Sequence, residues 1–390
     1  MKIILAPDSF KGNLTALQVA TAMEKGIKRV LPQANCIKIP MADGGEGTVQ
    51  SLVDAIGGKF IRKRVTGPAC KPVSARYGML VDGKTAVIEM SEASGLPLVS
   101  GKKMNPLKTT TYGTGELILD AAKRGATKII IGIGGSATND GGVGMAQALG
   151  VRFINKHGKE IMKHGAGGML HEIDSINIKS LNPLIKKVKI IIASDVNNPL
   201  CGKTGASNIF GPQKGASPTM VKILESNLNH LGKIIKADLK KEVVNLKGAG
   251  AAGGLGAGLV AFTQARMESG IDLIIEATNM AQHLRGADLV ITGEGCVDSQ
   301  TAFGKTPSGV AKVAKKHHVP TVAIGGTIAD DANAMFAHGI DGLESAYARG
   351  MPLDEAMRNS RTYIANAAER VICLIMIGKN IAAKKLKRRK

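Results

Sequence analysis

Charged and amide side chains in this 390-residue sequence collect in short glycine-containing turns that follow apolar runs. Lys11 stands with Asp8 and Ser9 just past Lys2-Ile-Ile-Leu-Ala6, and Asp43 and Glu46 follow Cys36-Ile-Lys-Ile-Pro40. Asn139 and Asp140 lie in the turn Gly134-Gly-Ser-Ala-Thr-Asn-Asp-Gly-Gly142 after Lys128-Ile-Ile-Ile-Gly-Ile133. Asp195 follows Val188-Lys-Ile-Ile-Ile-Ala193, and Glu294 and Asp298 enter a glycine-acid loop after Asp288-Leu-Val-Ile-Thr292. Ligands of open α/β sheets gather beyond the carboxyl ends of the strands, so these groups are expected to share one cleft. A strand that stops at stacked glycines and restarts as a helix aims bare N–H groups at one point, which favours an anion. Phosphate handling is the chemistry this pattern suggests. Structural readings stand beside it: Asp and Asn in glycine turns also cap helices, and Lys11 also reads as a solvated loop lysine. Asp195 is expected at a buried strand end, where a carboxylate is costly without a partner.

Familiar nucleotide signatures are absent. Gly304-Lys-Thr306 and Gly202-Lys-Thr204 resemble the end of a P-loop, but Ser299 and Asn197 stand where its first glycine belongs. Gly132-Ile-Gly-Gly-Ser-Ala137 fits G-x-G-x-x-A, yet about 20 residues on the chain reads Arg152-Phe-Ile-Asn155, with no acid for a ribose. Gly248-Ala-Gly-Ala-Ala-Gly-Gly-Leu-Gly-Ala-Gly258 suits either a phosphate cradle or close helix packing. Eight histidines include no H-E-x-x-H, and five cysteines form no Cys-x-x-Cys pair, so neither a structural metal nor a disulfide framework is signalled.

The elements that must position these turns alternate strand and helix. Thr15 with Gln18 reads as a capping box, with a Leu14–Val19 staple, opening a helix to Val30 whose Ala16, Val19, Met23 and Ile27 share a face. Val49, Leu52, Val53 and Ile56 mark a second helix, stopped by Gly57-Gly58. From about Arg62 the texture alternates and reaches the hairpin signal Val81-Asp-Gly-Lys84; after Gly286 the opening texture returns. The expected fold is α/β in two domains: residues 1–62 and 284–380 as a Rossmann-like parallel-sheet domain built from both chain ends, and 63–283 as an inserted mixed α/β domain. Residues 381–390 are expected as a basic tail.

Composition narrows partners. The formal charge is +21, and six positives lie in the last seven residues, Lys384 to Lys390. A basic body draws anionic substrates, while the absence of Trp and only four Tyr and seven Phe leave few platforms for stacking bases. No specific nucleic-acid partner and no membrane association are expected, and no apolar run is long enough to span a bilayer. A reducing cytoplasm suits the cysteines, and a homodimer stays open.

Read in order, these turns resemble the bacterial-type glycerate kinase family. The resemblance rests on Ala6-Pro-Asp-Ser-Phe-Lys-Gly12, Pro40-Met-Ala-Asp-Gly-Gly-Glu-Gly-Thr48, Thr111-Tyr-Gly-Thr-Gly-Glu-Leu-Ile118 and Gly134 to Gly142. It continues through Asp195-Val-Asn-Asn-Pro-Leu200, Phe210-Gly-Pro-Gln-Lys-Gly215, Gly250-Ala-Ala-Gly-Gly-Leu-Gly256, and Thr292-Gly-Glu-Gly295 to Gly304-Lys-Thr-Pro307. It implies ATP-dependent phosphorylation of D-glycerate, with the 2-phosphate favoured, in organic-acid catabolism, and two α/β domains around a cleft. One departure is Cys296-Val297, where similar proteins carry Arg-Ile after the Gly-Glu-Gly turn, so a phosphate contact from that arginine is in question.

For such a reaction the resemblance implies ATP as co-substrate, and because phosphoryl transfer calls for a metal on the phosphates, Mg²⁺ is expected among Asp43, Asp195 and Glu294. Lys11 is expected to neutralise the transferring phosphoryl group or the glycerate carboxylate. Asp195 is the first candidate for orienting or deprotonating the accepting hydroxyl, and Asp43 the second. Substrate or phosphate contacts are expected from Ser9, Gly44 and Gly45, and from Gly134, Gly135, Ser136, Asn139 and Asp140. Gly253, Gly254, Thr301 and Lys305 complete that set. Two rival readings are a kinase of another small hydroxy acid, and a non-catalytic sugar-acid or nucleotide sensor whose tail binds nucleic acid.

Overall fold

The computed structural model describes residues 1–99, 104–302, 305–348 and 350–387. Gly304 of the lysine-threonine motif and residues 388–390 of the basic end lie outside them. In chain order the strands are β1 (Lys2–Pro7), β2 (Asn35–Lys38), β3 (Gly58–Thr66), β4 (Pro72–Leu80), β5 (Thr85–Glu89) and β6 (Lys128–Gly132). They continue with β7 (Arg152–Asn155), β8 (Ile173–Asn177), β9 (Lys189–Ala193), β10 (Arg266–Glu268), β11 (Leu289–Val297), β12 (Thr321–Ile328) and β13 (Gly342–Ser345). The chain divides into two compact units, one of Met1–Asp43, Gln50–Ala55 and Ile271–Lys390, the other of Gly44–Val49 and Ile56–Gly270.

The first unit carries a five-stranded sheet in the order β13-β12-β11-β1-β2, every pairing parallel. Within this unit that is the doubly wound order 2-1-3-4-5, whose direction reverses between β1 and β11. Alternation along the strands feeds two cores. Ile3, Leu5, Ile291 and Ile324 pack with Val19, Met23 and Ile27 of helix Ala16–Val30 and with Ile364 and Ala368 of helix Ser360–Lys387. Val297 and Ala323 point into the other core, with Ala311 and Met335. The capping box forms as expected: Gln18 N donates to Thr15 Oγ1 at 3.2 Å and Thr15 N to Gln18 Oε1 at 3.1 Å, an arrangement that contributes about 1 kcal/mol.

The second unit holds a six-stranded mixed sheet, β10-β9-β6-β5-β4-β3. β5, β6, β9 and β10 run parallel, and β4 turns back antiparallel between β5 and β3. β6 and β9 read Lys-Ile-Ile-Ile, nearly uniform apolar runs of the kind that strands buried on both faces require. Helices Tyr112–Lys123, Pro218–Leu239 and Ala251–Phe262 bury Leu117, Leu228 and Leu259 in the core shared with Ile129, Ile131 and Ile192.

Three expectations are corrected. Residues 58–62, placed in the first domain, are part of β3, whose every residue from Gly58 to Thr66 pairs with β4, and residues 271–283 group with the first unit. The stretch expected as a glycine-acid loop after 292 is strand: β11 stays paired with β12 to Val297, because Gly293 has no Cβ to collide with the Ile324 carbonyl oxygen. Residues 381–387 of the expected basic tail continue helix Ser360–Lys387. Among the described residues, no helix is long and apolar enough to cross a membrane.

Candidate active site

The carboxyl ends of β1 and β11, at the reversal point of the first sheet, carry a cluster of ionisable groups. Asp8 leaves β1 with its N–H on the Gly293 carbonyl at 2.8 Å. Its carboxylate is buried; Oδ1 accepts from Ser9 N at 2.6 Å and Oδ2 from Thr306 Oγ1 at 2.8 Å. Burial foremost, and then the Asp43 charge, push Asp8 up to about 7, against the opposing pull of Thr306 and Lys11. Lys11 is exposed, and its Nζ stands 3.8 Å from Asp43 Oδ2. Asp43 is brought there by the chain after β2, which stays tied to β1 through Ile39 N to Leu5 O and Met41 N to Pro7 O.

β11 adds the opposing half of the cluster. Thr301 Oγ1 donates to Glu294 Oε1 at 2.6 Å and lies 3.1 Å from Asp298 Oδ1, which also accepts from Thr301 N. Lys305 Nζ lies 3.5 Å from Asp298 Oδ1 and 4.0 Å from Glu294 Oε2. Burial holds the Glu294 carboxyl above its usual range even against Thr301 and Lys305. Asp298 is more open; burial raises it, but the Thr301 N–H and hydroxyl and Lys305 together outweigh that and hold it low. Of the expected site residues, Ser9, Lys11, Asp43, Glu294, Thr301 and Lys305 therefore meet in this unit. Asp8 and Thr306 belong to the same cluster and were not singled out; the rule applied to Asp195, that a carboxylate at a buried strand end is functional, points to Asp8.

Two cations flanking several carboxylates can hold an anion on one side and place a proton acceptor on the other. Among the described residues no three His, Cys, Asp or Glu side chains form a metal cage. Mg²⁺ asks less, usually one or two carboxylates with waters and substrate phosphates, and the hard oxygens of Asp43 and Glu294 fit that donor chemistry.

In the second unit the turn after β6 behaves differently from expectation. Its short helix, Val143–Ala148, does not present free N–H groups: those of Val143 and Gly144 donate to Asp140 and that of Met145 to Thr111 Oγ1. The Asp140 carboxylate is fully buried and accepts from Gly142 N at 3.1 Å, Gly144 N at 3.2 Å, Thr111 N at 2.8 Å and Thr111 Oγ1 at 2.7 Å. It holds the turn and offers no open face to a ligand. Gly253 and Gly254 are likewise buried: a Cβ on Gly253 would stand 2.0 Å from the Thr138 carbonyl oxygen, so this glycine run serves close packing. Gly44 is buried against Ala193 and Gly45 is partly exposed. Gly134 and Gly135 are exposed, whereas Ser136 and Asn139 are buried beneath them. Asp195, expected at a buried strand end, is exposed, and its Oδ1 accepts from Gly270 N at 3.2 Å; the burial argument for it fails. Cys296 is exposed and Val297 is core.

The chain matches the model of the glycerate kinase family over residues 3–376. It is 52% identical over 369 residues to a glycerate kinase of Halalkalibacterium halodurans, spanning 95% of this chain and 97% of that one. Against the glycerate 2-kinase of Escherichia coli K12 it is 49% identical, spanning 97% of this chain and 99% of the relative. A crystal structure bearing the name of glycerate kinase 2 from Salmonella typhimurium LT2 superposes with a TM-score of 0.89 at 45% identity, covering 97% of this chain and 99% of the other.

Proposed function

As a member of the glycerate kinase family this chain is a phosphotransferase with an alcohol acceptor that phosphorylates glycerate, and we propose how its residues divide that work. The substrates are D-glycerate and ATP, and the product is 2-phosphoglycerate, in keeping with the named activity of the Escherichia coli relative. The observation that carries the residue roles is the convergence of Asp8, Lys11, Asp43, Glu294 and Lys305 at the reversal point of the parallel sheet.

Phosphoryl transfer asks a protein chiefly for positioning and charge neutralisation. Lys11, solvent-facing on a short turn, neutralises an anionic oxygen group of the substrates. Lys305 does the same from the start of helix Thr306–Lys316 while Glu294 and Asp298 fix its head. Asp43 and Glu294 would hold Mg²⁺, which would supply charge neutralisation for the phosphates. Asp195 keeps the role of orienting or deprotonating the accepting hydroxyl, resting on its place just past β9.

Phosphorus NMR of the product formed from D-glycerate and ATP tests the reading. A 2-phosphoglycerate resonance appearing with equimolar ADP is expected. ATP left intact with glycerate, or a phosphorylated product only from other hydroxy acids in a panel, would refute it.

A further inference from the structure

Lys214 is the one lysine the described part of the second unit buries completely, and no carboxylate lies within ion-pairing distance of it. The fold takes trouble to place it there. The turn Pro212–Lys214 is closed by Gly215 at φ 88°, where a Cβ would meet the Met104 carbonyl oxygen at 2.7 Å. The ammonium donates to Ser136 Oγ at 2.7 Å and to the Thr138 carbonyl at 2.6 Å. Burial pushes it down to about 7, partly offset by Asp140. A lysine held this way is expensive as mere filling, since an apolar side chain would avoid the desolvation altogether.

What it grips is the underside of an exposed step. Gly134 and Gly135 are at the surface, and among the described residues neither donates its N–H within the fold. Cβ atoms there would come within 3.2 Å of Gly45 and 3.3 Å of Ser91, so the chain runs as a bare backbone ridge. In the same loop, Thr138 Oγ1 and Asn139 Nδ2 are buried with no hydrogen-bond partner, in a protein interior where such atoms are normally satisfied. Exposed glycine N–H groups and an unpaired amide donor in one loop, with a buried cation from another turn bonded to that loop, share a preference for negative charge.

We propose that Lys214 is a positioning residue for an anion subsite formed by the loop from Gly134 to Asn139, which takes an anionic oxygen group of a substrate on its glycine ridge. The ammonium acts through Ser136 and Thr138: it fixes the loop's shape and adds positive potential behind the bound oxygens. The inference deepens the kinase reading and rests on it. The anion is the carboxylate of glycerate or a phosphate of the nucleotide, and the two are told apart by experiment.

Calorimetric titration of wild type, Lys214→Met and Ser136→Ala with D-glycerate, and separately with a non-hydrolysable ATP analogue, tests the assignment, together with both KM values and kcat. Lys214→Met keeps length and removes charge. It is expected to weaken one of the two ligands at least ~10-fold and leave the other within ~2-fold, with saturated kcat and cooperative unfolding retained. Ser136→Ala, which removes one grip and folds even if Lys214→Met does not, is expected to weaken the same ligand ~3-fold. Weakening confined to D-glycerate assigns the carboxylate; weakening confined to the analogue assigns phosphate. Wild-type affinity for both ligands in Ser136→Ala, or equal loss of both in Lys214→Met alongside a lowered unfolding midpoint, overturns the proposal. A wild-type enzyme that fails to turn over glycerate instead overturns the kinase reading.

Discussion

The turns after β1 and after β6 are made from the same ingredients, an aspartate near glycines at the end of an apolar parallel strand, yet they do opposite things with the carboxylate. Asp140 receives four donors from its own turn and from Thr111, about the full acceptor capacity of a carboxylate. Asp8 receives two and lies beside Asp43 and Lys11; burial raises the proton affinity of both carboxyls, and at Asp8 the Asp43 charge adds to it. A carboxylate whose lone pairs the fold consumes is a structural pin. One that the fold buries but leaves half-satisfied next to like charge is held at a cost that only chemistry explains. Strand-end position alone does not separate the two; the donor count does.

The largest expected effect breaks the pin. Asp140→Asn replaces an acceptor oxygen by an NH₂ facing N–H groups and should lower folding stability by about 3 kcal/mol, read from denaturant midpoints at pH 7. A variant as stable as wild type would erase the distinction drawn between the turns. Lys11→Ala works on the other region: turnover should fall ~100-fold, about 2.7 kcal/mol in the barrier, while the midpoint barely moves because its ion pair with Asp43 is solvent-exposed. Asp195→Asn should cut turnover on the same scale with the fold unchanged. Normal kcat in either variant would remove that residue from the mechanism.

Local patterns made much of this legible. The capping box, the strand–turn–helix order and the convergence of Lys11, Asp43 and Glu294 follow from periodicity over a few residues and from the rule for ligand positions in parallel sheets. What stayed hidden depends on distant partners. Glycines 293 and 295 read as loop, yet β12 pairs that stretch as strand. The N–H groups of Gly142 and Gly144 looked free until a buried Asp140 claimed them. Asp195 follows an apolar strand and is nonetheless exposed. Lys214 reads as an ordinary solvated lysine, since nothing within its own turn reports that Ser136 and Thr138 will close over it.

Smaller effects sharpen the account of Asp8. An isolated aspartate titrates near 3.9, whereas burial and Asp43 move Asp8 to about 7 in the folded protein. The folded state therefore binds this proton more tightly than the unfolded chain does. Below about pH 4 both states are protonated and the group is neutral in its effect; between about pH 4 and 7 stability drains away, and above about pH 7 the loss is complete. Asp8→Asn should be increasingly more stable than wild type across that window and level beyond it. Glu89, raised by burial to about 7 as well, drains stability over the same range in both proteins and cancels in the difference. Denaturation series from pH 4 to 8 giving a flat difference would mean that Asp8 is solvated or paired well enough to keep an ordinary proton affinity.

Lys305 should show the least. Its ammonium lies between Asp298 and Glu294 at 3.5 and 4.0 Å with a third of its side chain in solvent. Two long, part-exposed ion pairs together contribute at most about 1 kcal/mol, so Lys305→Met should shift the unfolding midpoint only slightly. Raising the salt to 1 M, where the screening length is about 3 Å, should abolish even that difference. The contrast with Lys214 is the point of the measurement: an ammonium of the same chemistry, sealed from salt and water in the other unit, should give a difference that 1 M salt leaves intact. If Lys305→Met proved as costly as Asp140→Asn, the first unit's cluster would be a structural clasp, and its carboxylates would have no spare capacity for a substrate.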